Sequence, residues 1–331
     1  MENYKMRLKY KNKKPALCAL VLAIFLPLAS FAEPNKTHVT DSLSQGDGYL
    51  DFTLGYSTFT SDVGYIISGV NFGGKSRYYT AQMQAELVFG VTDNFNIFAS
   101  MPIYQGGSLT QGISSAAQHT IDVTQNWSGY GDLSYGARYL LSDKETDGLG
   151  LRVHAIAKPA NAPRATGIIT TQTTANGTVT TPWHYGQGGT GTLDYTFGMA
   201  LAPAQTYDLF FQANYTVRGT RVDLGREVAP GNVMDLAMGA EKMFGEKTTL
   251  TPSLNFVLTD NGYYGAYANS SYFETIFGMG LTHDFSKRFS IQGNAAYDMI
   301  STQVYSLPNG DLITMQNGSG MIFSLAVFLF F

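Results

Sequence analysis

The sequence is poor in charge: Asp, Glu, Lys and Arg make up 14% of its 331 residues, where soluble globular domains carry about 25%. Aromatic residues reach 13%, which excludes an intrinsically disordered chain, because disordered segments contain few aromatics. The acidic residues slightly outnumber the basic ones, 25 against 21. The chain therefore lacks the basic surplus typical of a nucleic-acid-binding protein, and we expect no nucleic-acid partner.

Cysteine and long apolar runs are also scarce. The single cysteine, Cys18, excludes a secreted scaffold stabilised by disulfides. A helix needs about 20 apolar residues to cross a bilayer, and one segment alone comes near that length, at the N-terminus. A helical membrane protein with several spans is therefore excluded.

The N-terminal segment is typical of a secretory signal peptide. Six basic residues precede an apolar core of 13 residues, from Ala16 to Leu28, and small residues stand at the end, up to Ala32. Cleavage after Ala32 would remove Cys18 and leave 15 basic and 24 acidic residues, a net charge near −9. We predict a signal peptide at 1–32, a short periplasmic segment at 33–48 and one domain at 49–331.

From Tyr49 onwards, apolar residues alternate with small or polar residues at a period of two. This pattern is typical of strands whose two faces meet different solvents. Twelve such segments begin near residues 49, 78, 95, 129, 149, 191, 207, 232, 248, 272, 289 and 320. Their apolar phase carries no charge. Their other phase carries Asp51, Glu86, Asp132, Arg138, Arg152, Lys158, Asp194, Arg218, Asp235, Glu241, Glu274 and Asp298.

An apolar exterior around a polar interior characterises a transmembrane β-barrel. Lipid tolerates no open sheet edge, so the sheet must close. We therefore predict an all-β fold, a closed antiparallel barrel of twelve strands in the bacterial outer membrane. Long and short connections alternate between the segments, as expected for external loops and periplasmic turns, and this places both termini in the periplasm.

The longest predicted loop, residues 159–190, contains Asn176-Gly177 between threonine runs. This dipeptide is typical of a β-hairpin turn. We predict a β-ribbon that projects above the membrane or folds into the mouth of the barrel. If the ribbon instead lies within the membrane, the strand count becomes fourteen.

The last segment alternates up to a terminal aromatic residue. Its apolar phase includes Phe323, Leu325, Val327, Leu329 and Phe331. This pattern resembles the C-terminal signal by which outer-membrane barrels are recognised for insertion. It implies the barrel-insertion machinery as a partner, with outer-membrane lipid and lipopolysaccharide as the surroundings.

The inward charges predict the lining of a pore. The turn at 142–148 is expected to bring Arg138 and Arg152 nearly opposite each other close to the periplasmic end. They form either an anion-attracting constriction or, as we favour, part of a salt-bridge network closed by Glu86 or Glu241, because pairing satisfies charges in a low-dielectric interior. The predicted pore-lining residues are Glu86, Arg138, Arg152, His154, Lys158, Arg218, Asp235, Glu241 and Glu274.

The outer ends of the strands are rich in acidic residues. An acidic mouth would favour cationic or neutral solutes over anions, and a solvated rim facing lipopolysaccharide and its divalent ions is an equal alternative. The acidic residues concerned are Asp132, Asp194, Asp235, Glu274 and Asp298.

The stretch Gly129–Leu141 resembles the G-x-G-D-L-x-x-G-x-[KR]-Y pattern of the outer-membrane transporters named after the meta-pathway of phenol degradation. Gly90–Ile103 is similar to that family's strand–turn–strand ending in a proline. The family's fifth strand tends to end in Lys-x-Pro-Thr-Gly, where this chain departs with Lys158-Pro159-Ala160-Asn161. The resemblance implies a twelve-stranded channel for uptake of small molecules, including hydrophobic or aromatic compounds.

Two other functions stay open at this point. Long loops suit an adhesion or structural surface protein. A lipid hydrolase on the barrel wall is disfavoured, because no Ser stands at a short offset from a His that would suit catalysis. None of the five His has metal-ligand spacing to a second ligand. We therefore expect a small-molecule solute as a partner, and neither a cofactor nor an enzymatic activity.

The apolar exterior predicts that the mature protein requires detergent to stay in solution. It should migrate on a gel at two positions, one for unheated and one for boiled samples, because a closed barrel resists unfolding by detergent at room temperature. A protein that remains dissolved in plain buffer and migrates identically with and without boiling would contradict the barrel.

Overall fold

The computed structural model describes residues 42–67, 70–115, 120–162, 169–174, 177–182, 191–203, 208–223, 226–264, 267–306 and 312–331. The predicted signal peptide and most of the predicted periplasmic segment lie outside these residues, so both stay predictions. In the described part of the chain, no helix has the length and apolar character that a membrane crossing requires.

Antiparallel strands dominate the described residues. In chain order they are β1 (Gly48–Ile67), β2 (Val70–Thr92), β3 (Phe95–Ser115), β4 (Thr120–Gly129), β5 (Ser134–Ser142), β6 (Leu149–Lys158), β7 (Ile169–Thr174), β8 (Gly177–Pro182), β9 (Asp194–Pro203), β10 (Asp208–Val217), β11 (Arg221–Asp223), β12 (Arg226–Ala229), β13 (Val233–Phe244), β14 (Thr248–Thr259), β15 (Gly262–Tyr264), β16 (Tyr267–Asn269), β17 (Tyr272–Ser286), β18 (Phe289–Ile300), β19 (Gln303–Ser306) and β20 (Leu312–Phe330). One short helix, α1 (Lys144–Asp147), lies between β5 and β6.

These strands form a closed barrel of twelve strands with two strands outside its wall. The wall closes where β1 pairs with β20 along its length. Six wall strands continue across a short break, in the pairs β4 with β5, β10 with β11, β12 with β13, β14 with β15, β16 with β17 and β18 with β19. The predicted twelve-stranded barrel is therefore confirmed.

The two faces of the wall have the predicted polarity. On β1, Leu54 is 50% exposed on the outside, whereas Asp51 and Thr53 on the inner face are 1% and 4% exposed. The last strand follows the same rule, with Phe323, Leu325, Leu329 and Phe331 exposed on the outside. Hydrocarbon accepts the apolar side chains, so the polar ones turn inward and satisfy one another.

The predicted β-ribbon is present as the hairpin of β7 and β8. The strand β7 pairs with β4, which itself pairs with the outer half of β3 from Gln105 to Ser114. The ribbon therefore adds to one side of the sheet beyond the barrel wall and does not raise the wall count to fourteen.

Several predicted long loops are strand instead. A wall strand needs about 9–11 residues to cross the membrane, yet β1 has 20, β2 has 23 and β3 has 21. The prediction of loops after the first and third segments was therefore wrong. Beyond the membrane both faces of a sheet meet water, so the alternation of apolar and polar residues no longer marks a strand, while the hydrogen-bonded ladder still holds it.

We call these outer extensions the collar: the outer halves of β1, β2, β3 and β20 with β4, β7, β8, β11, β12, β15, β16 and β19. The barrel end that carries it is the collar end. The opposite end, the turn end, has short connections such as Asp93-Asn94 and helix α1. In α1, Asp143 accepts hydrogen bonds from the N–H groups of Glu145 and Thr146, and Gly148 closes the helix at φ 74°.

The opposite environments of neighbouring residues give a direct test of the wall. Leu325 faces outward at 47% exposure in the middle of the wall part of β20, and Ser324 faces the lumen. Leu325→Lys should lower the free energy of unfolding by about 2–4 kcal/mol, because it puts an ammonium into hydrocarbon. Ser324→Lys serves as the control and should cost much less. Equal losses in urea titrations of the protein in bilayers would contradict the assigned faces.

Candidate pore and its turn-end closure

A buried ion pair lies in the lumen near the turn end. Arg138 on β5 places its guanidinium 3.6 Å from the Glu86 carboxylate on β2. The same guanidinium lies over the ring of Phe98, 4.3 Å from the ring centroid. Glu86 also accepts hydrogen bonds of 3.3 Å from the hydroxyls of Tyr49 and Ser100. Of the two carboxylates that the sequence offered for Arg138, Glu86 is the one beside it.

Arg138 and Arg152 are not directly opposite each other. The strand pairing places His154 opposite Arg138 and Leu140 opposite Arg152, with an irregular step after Leu140. The two arginines are therefore diagonal neighbours on the lumen face. The expectation that they lie nearly opposite is met only to this extent, because the register places Arg152 two residues from His154, the residue opposite Arg138.

An apolar cluster lies in the lumen beside this ion pair, on the inner faces of β1, β2, β3 and β20. Tyr49, Val88, Phe98, Ala326 and Phe328 are buried together. The rings of Tyr49 and Phe328 meet edge to face at 6.0 Å. These side chains pack against one another, so this side of the turn end has a small apolar core.

The chain preceding β1 covers this cluster. Leu43 packs against it, and Ser42 donates a 3.2 Å hydrogen bond to Asn96 in the lumen. A side chain at Gly90 would lie 2.3 Å from the carbonyl oxygen of Ser44, so the glycine is what permits this close approach. Residues 42–47 thus lie against β2, β3 and the turn between them at the turn end of the barrel.

Two carboxylates lie close together where this segment meets the barrel rim. Burial and the charge of Asp93 raise the pKa of Asp47 above its ordinary value of 3.8. A carboxyl group with a raised pKa stabilises the docked state at low pH, and that contribution is lost as the pH rises through the raised value. The docking of residues 42–47 should therefore be tighter in acid.

At the collar end, Asp132 anchors the base of the long connection that contains the ribbon. Its two carboxylate oxygens accept hydrogen bonds of 3.0 Å from the backbone N–H groups of Ala162 and Gly191. Lys158 and Asp194 pair nearby at 2.7 Å, directly across from each other. The aspartate within the Gly-Asp-Leu motif thus has a structural partner on each side of the loop.

The remaining predicted pore-lining residues lie farther round the lumen. A side chain at Gly198 would meet both the His154 ring and the Asn214 amide oxygen, at 2.4 and 2.2 Å, so these two side chains converge above it. Asn214 donates a 3.3 Å hydrogen bond to Asp235. Arg218 and Asp235 act electrostatically on Glu274. Glu241 lies apart, opposite Asp208 near the turn end.

An apolar groove of about 610 Å³ lies in the lipid-facing wall, and it was not predicted from the sequence. Its floor is formed by small outward residues, among them Ala137 and Ala155. Phe98 and Ile156 line it from the lumen face of the wall, and Leu133, which is buried, also lines it. The groove adjoins the break at 130–133 where β4 ends and β5 begins. Runs of alanine on the apolar phase of adjacent strands are the signal that could have predicted it.

Among the described residues, no group of three or more His, Cys, Asp or Glu could hold a metal ion. The predicted absence of a metal site and of a cofactor stays a prediction for the whole chain.

No protein-family model matches this chain, and no curated protein sequence matches it. The COG4313 outer membrane channel from Pseudomonas putida F1 has a similar structure, with a TM-score of 0.55 at 12% identity over 88% of this chain and 98% of that one. The toluene transporter TodX from P. putida gives 0.45 at 10% identity, over 87% and 91% of the two chains. The first likeness shows the fold. The resemblance to the meta-pathway family is not confirmed.

The buried pair of Glu86 and Arg138 predicts a strong effect on stability. Glu86→Leu would leave a guanidinium buried without its carboxylate and should lower the free energy of unfolding by about 3–5 kcal/mol. Ser100→Ala, which removes one neutral donor to the same carboxylate, should cost about 1 kcal/mol. In denaturant titrations, the double variant Glu86→Leu with Arg138→Leu should lose less than the two single variants together. Additive losses would argue against the pair.

Proposed function

We propose that this protein is an outer-membrane channel for the uptake of small hydrophobic molecules, including aromatic ones. The observation that carries the proposal is the apolar groove that joins the lipid-facing wall to the buried cluster at Phe98 and Ile156. A closed barrel whose fold is that of an outer membrane channel supports it. Pockets for small ligands are concave and mostly apolar, as this one is.

The route follows from what occupies the lumen. Leu43 and the apolar cluster pack together on the β1, β2, β3 and β20 side of the turn end, so a hydrophobic solute that reaches this end meets an apolar surface there. The groove starts at that core, because Phe98 lines both the cluster and the groove. We propose that a hydrophobic solute leaves the lumen there, through the wall beside β5.

The proposed setting is the bacterial outer membrane, with the turn end and both termini in the periplasm and the collar outside. The proposal includes export by the predicted signal peptide at 1–32 and recognition of the C-terminal alternation by the insertion machinery. Outer-membrane lipid and lipopolysaccharide would surround the exposed aromatic and aliphatic wall.

The collar favours a second candidate, a surface protein that acts through its extracellular sheet. The strands β1 to β3 are each about ten residues longer than a membrane crossing requires. A large part of the chain therefore lies outside the bilayer. Deleting the ribbon at 169–182 separates the two functions. Uptake should persist in that variant, whereas binding through the collar should be lost.

Filling the groove tests the uptake function. Ala137→Trp places a large ring in the groove floor and should slow toluene entry into liposomes several-fold. Ala295→Trp is the matched control, because Ala295 also faces outward from the wall but lies on β18, outside the groove. Equal uptake by both variants would contradict the route through the groove. Absence of toluene entry in the unmodified protein would contradict the channel itself.

A further inference from the structure

A second feature of the lumen combines aromatic rings with buried acceptors that have no partner among the described residues. Strand pairing sets six inward residues in one cross-strand row. In order around the wall they are Tyr78, Phe59, Gly320, Asp298, Ile276 and Asn255. Glu274 is the diagonal lumen neighbour of Asp298 and of Asn255, since it stands two residues from Ile276 on β17.

Two oxygen acceptors in this row lack a partner. Among the described residues, Asp298 Oδ1 and Asn255 Oδ1 accept no hydrogen bond, although Asp298 is 2% exposed and Asn255 is 7% exposed. Buried polar groups are nearly always hydrogen-bonded, and an exception calls for an explanation. Both orphan atoms are acceptors, so they would be satisfied by a ligand that donates.

The surrounding charge selects the sign of that donor. Asp235, Asp298 and Arg218 all act electrostatically on Glu274. Counted at their formal charges, Glu274 and Asp298 exceed Arg218 by one negative charge. Among the described residues, the Arg218 side chain forms no ion pair with any of these carboxylates. The backbone N–H of Arg218 donates to the Asn232 side chain.

The aromatic end of the row supplies an apolar surface next to these acceptors. The rings of Phe59 and Tyr78 lie 6.4 Å apart with a tilt of 56°. A side chain at Gly320 would lie 2.5 Å from the Phe59 ring, so the ring covers this glycine, whose other neighbour in the row is Asp298. Aromatic faces attract organic cations. A bare metal ion, which takes oxygen ligands, would gain nothing from them.

We propose that this row and Glu274 form a binding site for a small organic cation with an apolar body, of the arylalkylammonium class. The ammonium group donates to Asp298, Glu274 and Asn255 Oδ1, and its apolar body packs toward Phe59 and Tyr78. The inference deepens the proposed channel function and rests on it, since the solute must enter the lumen, and it extends the solutes from neutral hydrophobic molecules to cationic ones.

Titration calorimetry on the full mature protein in detergent micelles tests the site, with benzylammonium chloride as the probe and benzyl alcohol as its neutral match. We expect benzylammonium to bind about tenfold or more tightly than benzyl alcohol, because a charge-assisted hydrogen bond is lost with the charge. Equal affinity for the two probes would overturn the proposal. Tighter binding of calcium chloride than of benzylammonium would overturn it in favour of a metal site.

Three variants localise the site. Glu274→Gln combined with Asp298→Asn should weaken benzylammonium binding about tenfold or more. Asn255→Leu should weaken it less, and we expect the barrel to stay folded because the change removes an acceptor atom, Oδ1, that has no partner among the described residues. Asp62→Asn is the control, since Asp62 is an exposed collar carboxylate bound to Asn317, and it should leave the affinity unchanged. Undiminished binding in the folded double variant or in Asn255→Leu would overturn the proposal, with folding verified by the gel shift on boiling.

The same preparations separate this inference from the channel function. Benzylammonium binding that is lost in the double variant supports the site even if toluene fails to enter liposomes, in which case the channel proposal alone fails. Normal toluene entry without benzylammonium binding has the reverse meaning and overturns the site alone.

Discussion

The structure depends on one constraint: in hydrocarbon, every backbone N–H and C=O group of the sheet must find its partner within the sheet. The pairing of β1 with β20, continued by the hydrogen bonds between Gly48 and Phe331, removes the two edges that an open sheet would expose. Closure then fixes the polarity of every side chain, because successive residues point alternately to lipid and to the lumen. The charged groups of the wall turn inward for this reason.

Turning charge inward creates a second problem, since the lumen of a twelve-stranded barrel is narrow. The chain solves it in different ways at different heights. At the turn end, Glu86 accepts hydrogen bonds from two hydroxyls and forms an ion pair with Arg138. At the collar end, Lys158 pairs with Asp194. Between β14 and β18, Asp298 and Asn255 each keep an acceptor atom without a partner among the described residues, and their place beside Glu274 and the aromatic rings is what points to a ligand.

The apolar cluster at the turn end and the groove in the wall share a residue. Phe98 contributes both to the cluster and to the lining of the groove, so in the proposed route this core is the start of a lateral path. Gly136 makes this possible, because a side chain there would collide with the Phe98 ring at 2.6 Å. A small residue opposite a large one lets an inward ring reach the inner side of the groove.

Much of the barrel follows from the sequence alone. Period-two alternation, the absence of charge on one phase and the spacing of turns predict twelve antiparallel strands, their inward and outward faces, and the ribbon around Thr174 and Gly177. These features are local, because each depends on neighbouring residues and on which solvent they meet. The tertiary structure alone decided the partner of Arg138, the diagonal placement of Arg152, the collar strands, the groove and the row from Tyr78 to Asn255. Cross-strand register sets those contacts between residues far apart in the chain, and the collar has water on both faces, so no local pattern records them.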